Sequence, residues 1–417
     1  MRSVVIFEKV FFKVASERVS GVLARPLGDD PVPGVVLAGP RGGRKEQWTG
    51  WTARALASQG IAALAFDHRN WGNSQGHPRH TEVAETKIED LRAAASSMAR
   101  HPAIDPAKIA LCGTDYGAGY AAHAAVGHLE VAALISIRGV FHHPGVALVV
   151  DQSGFLTNDW LDLSATDFVA KSMQAFDDWQ QNQAASPYGK LWMPRFMARA
   201  QEAQERYEAT GKPFPITQSW EGPHGMPGMA MNMYDLYCDH CQWPTDAILP
   251  FISDKKLQSH RLKAHKSGAT QVNERGRTRT AFEEYLGDYS LLLEGSETSD
   301  PNLAVPDKWH GFRSGERVFL PITDISLFDI VMFDALSAAP DLRVPVTLYD
   351  DEAEFYDDPR RSPYVHRNAQ LFADLVPGSV ERVLATRTHE GISLLPQPSG
   401  ATSDQVAAIV QAMSDLD

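Results

Sequence analysis

The chain has 417 residues, 43% hydrophobic and 22% charged, which excludes whole-chain disorder, collagen or coiled coil and allows one large domain or two to three ordinary ones. Thirty-nine Lys and Arg against 52 Asp and Glu leave a net charge of −13, which argues against nucleic acid or an anionic membrane as main partner. Three cysteines are too few for a disulfide framework, the opening residues lack a leader-like apolar core, and no apolar run reaches the ~18 residues of a membrane span, so a cytoplasmic globular protein is expected.

The first third alternates strands with helices. Val4 to Val14 and Val22 to Arg25 read as an opening antiparallel pair. Gly34 to Ala38 is a short apolar run stopped by glycines, as in a strand buried on both faces. A helix is expected through Trp48, Trp51, Ala55 and Leu56, ending at Gly60. Ile61 to Phe66 is the next strand, closing on Asp67. Ile88, Leu91, Ala95 and Met98 recur at helical spacing. Further strands are predicted at Lys108 to Leu111 and Val131 to Ile137. Such repeated strand–helix units predict a mostly parallel sheet with helices on both faces.

Near His142 the pattern breaks into a long stretch rich in Trp, Tyr, Met and Pro. Within it, Ser253 to Thr280 carries eight Lys or Arg against two Asp or Glu, the signature of a solvated face or loop, or of a dock for an acidic surface or anionic ligand. Strand pattern returns at Val344 to Tyr349 and Val380 to Ala385, and Gln405 to Met413 reads as a closing helix. The expected architecture is an α/β core of residues 1–144 and 323–417, split by a helical cap inserted at 145–322.

The segment that carries chemistry is Ile109 to Gly119. A strand is predicted to end at Cys112 and a helix to begin near Gly117, with Gly113-x-Asp115-x-Gly117 between them. Glycines two before and two after a central residue suit a sharp strand-to-helix turn that lifts one side chain above the sheet, at a helix N-terminus.

Together with Val35–Gln47 and Ala65–Gly76, this elbow resembles the α/β-hydrolases, and among them the dienelactone-hydrolase-like branch, over about residues 20–140 and 325–415. The resemblance implies a nucleophile, an acid and a histidine in chain order. Asp115 takes the nucleophile's place, Asp351 fits the acid (with Asp350 and Glu352 flanking it), and His389 fits the histidine. It also implies an oxyanion hole made by the backbone N–H groups of Tyr116 and of Arg41 or Gly42. The branch usually carries Ser or Cys where this chain has Asp115. A carboxylate is a poor acyl-transfer nucleophile but is suited to attack at saturated carbon, giving an alkyl ester. Family members with an elbow Asp are epoxide hydrolases and dehalogenases.

The residue after Asp115 is Tyr116, neither the Trp of haloalkane dehalogenases nor the Arg of the fluoroacetate type. Tyr234 and Tyr237 stand three apart in the cap and are candidate proton donors for an epoxide oxygen, with packing in an aromatic-rich cap as the competing reading. Epoxide hydrolase is therefore the leading expectation. A dehalogenase, an esterase or lactonase, a lyase or isomerase, a serine enzyme with its nucleophile replaced by Asp, and an inactive ligand-binding protein remain as alternatives. Trp192, Trp220, Trp243 and the methionines at 226, 229, 231 and 233 point to a small-molecule substrate that is bulky and hydrophobic, or simply to cap core. A homodimer is a candidate assembly. Cys238-x-x-Cys241 is a lone pair and His142-His143 lacks nearby carboxylates, so no metal is expected; Gly113 to Gly119 is not a dinucleotide fingerprint, so no cofactor is expected. His68 and Arg69, beside the strand ending at Asp67, are read as structural.

Overall fold

The structure, a computed structural model, describes residues 4–43, 45, 48–78, 81–141, 143, 144, 160, 162–181, 201, 203–211, 215–219, 270–272, 278–280, 319–323, 325, 326, 329, 332–351, 362–385 and 401–416. Strands β1 (Val5–Val14), β2 (Glu17–Pro26), β3 (Val32–Ala38), β4 (Ala62–Asp67), β5 (Ile104–Asp115) and β6 (Ala133–Gly139) open the fold. Four short strands follow, β7 (Pro215–Ser219), β8 (Thr270–Val272), β9 (Thr278–Thr280) and β10 (Phe319–Thr323), and then β11 (Val346–Asp351) and β12 (Val380–Ala385). Helices among the described residues include α1 (Trp48–Ser58), α2 (Ala84–Ala99), α3 (Tyr116–Ala125), α4 (Ala165–Gln181), α5 (Ser362–Leu375) and α6 (Ser403–Ser414).

Eight strands make one sheet in the order β1-β2-β4-β3-β5-β6-β11-β12. β1–β2 and β2–β4 are antiparallel, and every pairing from β4 onward is parallel. This is the α/β-hydrolase fold. All parallel strands present their C-terminal ends at one edge, where α/β sheets bind ligands.

Both faces are covered, which is why these strands read as continuous apolar runs. On one face Val35, Leu37, Ala63, Ala65, Cys112, Ile135 and Ile137 pack with Trp48, Leu56 and Ala57 of α1 and with Ile409 and Met413 of α6. The alternate residues Val36, Leu64, Leu111 and Leu134 are equally buried, and α2 and α3 pack against β3 and β5, with α3 also against β6. The start of α6 carries a reciprocal capping box between Thr402 and Gln405, and Ala401 N–H donates to Thr52 Oγ1 of α1 at 2.9 Å. The closing helix is thereby tied to the opening one.

Contacts divide the chain into two compact units. One comprises Met1–His77, Val83–Tyr188 and Met332–Asp417, and holds the eight-stranded sheet and helices α1 to α6. The other comprises Pro78–Glu82 and Gly189–Val331. Its described residues contain two antiparallel pairs, β7 with β10 and β8 with β9, the latter within the basic 253–280 stretch.

Three features differ from the sequence reading. β5 does not end at Cys112: its pairing with β6 continues through Gly113 and Thr114 to Asp115, and α3 starts directly at Tyr116. Glycine weakens a strand on average, yet it is tolerated where a helix backbone packs closely, as α3 does here. Helix α5 and strands β7 to β10 are not among the predicted elements. The signal for α5 is present, with Pro363 in its first turn and Ala369, Phe372 and Val376 at helical spacing, but it follows a charged run that masks it. No helix among the described residues is long and apolar enough to cross a membrane.

Candidate active site

The elbow is built from close backbone approach. A Cβ at Gly113 would collide with Gly117 O and Ala118 Cα, and one at Gly117 would collide with the carbonyl oxygens of Ala38 and Gly39. The two glycines let α3 start immediately against β5 and β3, and the chain between them must reverse within one residue. Asp115 absorbs that reversal with φ 52° and ψ −136°. A non-glycine residue in such a conformation costs about 1–3 kcal/mol and is retained where surrounding structure over-determines it. One determinant is the Val140 N–H, which donates to Asp115 O at 3.0 Å. Beside it Arg138 also has positive φ, 53°, at the point where the β5–β6 register shifts.

The half-buried Asp115 side chain faces the loop after β3. Arg41 N–H donates to Asp115 Oδ2 at 3.4 Å, a long bond of the kind that tightens when charge builds on the acceptor. Its orientation comes from a turn, closed by Gly43 N–H donating to Pro40 O at 2.8 Å, in which Gly42 takes φ 67°. The Arg41 side chain is buried, with its guanidinium carbon 4.6 Å from the centre of the Tyr116 ring. A permanent cation therefore stacks on the residue that follows Asp115 and opens α3, whose N-terminus favours negative charge in its own right. Of the predicted oxyanion residues, Arg41 places its amide on the Asp115 carboxylate, Gly42 lies in the same turn, and Tyr116 follows Asp115 at the start of α3.

The far end of the loop is anchored on a buried carboxylate. Asp67, at the end of β4, accepts from Lys45 N at 2.9 Å through Oδ1, and from Lys45 Nζ at 2.7 Å and Asn73 N at 2.8 Å through Oδ2. The side chains of Lys45 and Asp67 are only 3% and 0% exposed. The sequence reading assigned Lys45 nothing, because lysine is among the residues least often buried.

A second histidine–carboxylate contact stands at the loop after β6. His143 is fully buried, with Nδ1 3.0 Å from Asp334 Oδ1. Burial raises the Asp334 carboxyl, but the His143 contact and the amides of Ser337 and Leu336 outweigh it and hold it below the ordinary 3.8. His123 of α3 bonds the Asp334 backbone O at 2.8 Å, and burial pushes its pKa down despite that bond. Neither imidazole was singled out as functional by the sequence beyond the isolated His142-His143 pair.

Other nucleophile and base candidates in this region are closed off. Cys112, three residues before Asp115, is fully buried in the core, and burial pushes its thiol far above its ordinary value. His68 Nδ1 lies 3.2 Å from Asp90 Oδ2, while Arg69 bonds Asp90 at 2.6 Å and Glu89 at 2.6 Å. Both residues clamp β4 to α2, the structural role expected of them.

Of the remaining predicted residues, Asp351 is the last residue of β11, paired with Ala385 of β12, at the sheet edge that also carries Asp115. Its side chain lies outside the described residues, as do His389, Tyr234, Tyr237, Trp243, Trp192, Trp220, the cap methionines, His142 and the Cys238–Cys241 pair. Asp350, beside it, is buried within the strand.

The serine aminopeptidase (S33) family model matches residues 30–210. The chain is 31% identical over 119 residues to the quorum-quenching protein AidA of Acinetobacter baumannii, covering 28% of this chain and 39% of that one. It is 34% identical over 133 residues to the thiohydrolase aneE of Aspergillus aculeatus, covering 31% of this chain and 42% of the other. It thus spans about two fifths of the length of these curated relatives. Among solved structures, a hypothetical protein from Pseudomonas aeruginosa superposes with a TM-score of 0.56 at 15% identity, covering 99% of this chain and 93% of that one. The α/β hydrolase GrgF from Penicillium sp. superposes at 0.51 and 14%, covering 99% and 97%. The matching family is named for a serine, whereas the elbow here presents Asp115. Sheet order and elbow together give the chain the α/β-hydrolase fold, and within it residues 30–210 are similar to the serine aminopeptidase (S33) family.

Proposed function

We propose that the chain is a hydrolase that uses Asp115 as a covalent nucleophile on a saturated carbon, with an epoxide on a bulky hydrophobic molecule as the leading substrate class. The observation that carries the reading is a carboxylate in the strained elbow position, with one of its oxygens turned to the Arg41 amide. Oδ2 accepts from that donor, and the attack is assigned to Oδ1. Attack forms the Oδ1–carbon bond and breaks the epoxide carbon–oxygen bond. The released alkoxide takes up a proton, the role that the sequence reading gives to Tyr234, with Tyr237 behind it.

Hydrolysis then runs through the acyl carbon of Asp115. His389, oriented by Asp351, removes a proton from water, and the water oxygen attacks Cγ. Negative charge develops on Oδ2, where the Arg41 and Tyr116 amides receive it; one such donor contributes about 3–4 kcal/mol. Collapse breaks the Cγ–Oδ1 bond, the leaving oxygen takes back the proton held by His389, and the diol departs carrying Oδ1 while Asp115 is restored with the water oxygen. With a carbon–halogen substrate the first step expels halide instead, and the rest is unchanged. The thiohydrolase name of one relative points to acyl transfer, but on an elbow carboxylate acyl transfer would pass through a reactive anhydride, which disfavours it here. A dienelactone-hydrolase-like ancestry is the corresponding reading of the branch.

The test is intact mass of a His389→Gln variant incubated with epoxides, alkyl halides and activated esters. A stable adduct on Asp115 is expected, its mass separating addition of a whole epoxide from displacement of halide. The matching test on the unmodified protein is single turnover in heavy-oxygen water, where the first product should carry unlabelled oxygen from Asp115. Solvent label alone in that product, or no adduct across the panel with the fold intact, overturns the covalent reading in favour of a lyase, an esterase or a binding protein.

A further inference from the structure

We propose that the Lys45–Asp67 ion pair is a positioning device for the oxyanion hole, acting on hydrolysis of the alkyl-enzyme and not on its formation. The inference rests on the covalent reading above and adds to it the residues that hold the hole in register. Lys45 binds one carboxylate twice, through its backbone amide on Oδ1 and its ammonium on Oδ2, and Asn73 N–H occupies Oδ2 as well. The loop from Gly39 to Lys45 is therefore fixed at both ends. At its start it leaves β3, whose last carbonyl lies against Gly117; at its finish it is bound to β4. Between the two, the Pro40–Gly43 turn leaves the Arg41 amide little freedom. Lys45 O further accepts from Thr49 Oγ1 at 3.4 Å, which continues the bracing into α1.

A buried ion pair contributes little net stability against an apolar pair of the same size, because desolvation offsets the attraction. What two charges do supply is a directional, stiff connection, and the element that they connect is the one that carries the Arg41 donor.

The two chemical steps respond oppositely to that donor. In alkylation, charge leaves the Asp115 carboxylate, so an N–H bound to Oδ2 stabilises the starting anion at least as well as the transition state. In hydrolysis, charge accumulates on Oδ2, and the same N–H stabilises the transition state selectively. Loosening the loop should therefore slow only the second step.

The experiment uses styrene oxide and the full-length protein. Adduct formation is timed by intact mass in His389→Gln, with and without Lys45→Met. Adduct decay is timed in Lys45→Met and Lys45→Arg carrying the native histidine. Formation is expected within about threefold of the His389→Gln parent, whereas decay in Lys45→Met should slow about 10–100-fold, less than the roughly 10²–10³-fold of a donor removed outright because here it is only displaced, so that adduct accumulates in the steady state. Lys45→Arg, which keeps the charge, should recover most of the decay rate. Urea midpoints establish that each variant is folded; if Lys45→Met is not, Lys45→Met/Asp67→Asn, which removes both charges together, is read against the same expectations.

Equal slowing of both steps, decay at the native rate in a folded charge-free variant, or no recovery with Arg each overturns the positioning role while leaving the nucleophile standing. Absence of any adduct in the His389→Gln parent overturns the covalent reading, and this proposal with it, and is distinguishable because it appears before Lys45 is touched.

Discussion

Two loops meet at Asp115, and they are held in different ways. The loop after β3 touches the Asp115 side chain through Arg41 N–H and is anchored by Lys45 on Asp67, a pair almost wholly removed from solvent. The loop after β6 touches the Asp115 backbone through Val140 N–H and leads to His143 on Asp334, whose side chain is 27% exposed. The first loop adjoins the Asp115 carboxyl, the second adjoins only the strained backbone beneath it. The contrast shows where rigidity is concentrated: the loop whose amide donates to the Asp115 carboxyl carries the drier pair, in which loss of one partner strands the other without water.

The largest effect should come from breaking the first anchor. Lys45→Met leaves the Asp67 carboxylate buried and uncompensated, and should lower stability by about 3–5 kcal/mol. Lys45→Met/Asp67→Asn should recover a good part of that loss, measured as urea midpoints. A double variant no better than the single one would mean that the loop, not the stranded charge, sets the cost.

Breaking the second anchor should cost less. Asp334→Ala removes the partner of His143 and the acceptor of the Leu336 and Ser337 amides, with an expected loss of about 1–3 kcal/mol at neutral pH. Because the folded carboxyl titrates below its ordinary value of 3.8, its stabilisation is present above that value and is lost as pH falls through the folded one. The gap between the native protein and Asp334→Ala should therefore close below about pH 4; a gap that persists at lower pH would place the contribution in packing instead. The smallest effect sharpens the comparison at its centre. Asp115→Gly abolishes the proposed nucleophile yet relieves the strained φ, and should raise the thermal midpoint slightly, equivalent to about 1 kcal/mol after the entropy of glycine is allowed for.

Much of the core was legible because its signals are local. Buried parallel strands announce themselves as apolar runs stopped by glycines, and β3, β4 and β6 lie within two residues of their predicted bounds. The glycine spacing about Asp115 announced the elbow, since only close backbone contact demands glycine on both sides of one polar residue. Helix α5 was missed beside its charged run, and β5 was cut short at Gly113 because glycine ordinarily punctuates a strand. The two anchors were not legible at all. Lys45 and Asp67 stand 22 positions apart, and His143 and Asp334 are separated by the whole insertion. Lysine and aspartate are residue types that a sequence places on the surface by default.

The sequence by itself determined the kind of atom that stands at the elbow and the layering that lifts it to the C-terminal edge of a parallel sheet, because residue type and short-range hydrophobic pattern are properties of neighbours along the chain. Only the tertiary structure decided that Asp115 sits at φ 52°, that its Oδ2 faces the Arg41 amide, and that a buried lysine fixes that amide in place. Those facts depend on which distant backbones approach within hydrogen-bonding distance once the sheet has closed, and a buried charge declares its partner only when both have been taken out of water.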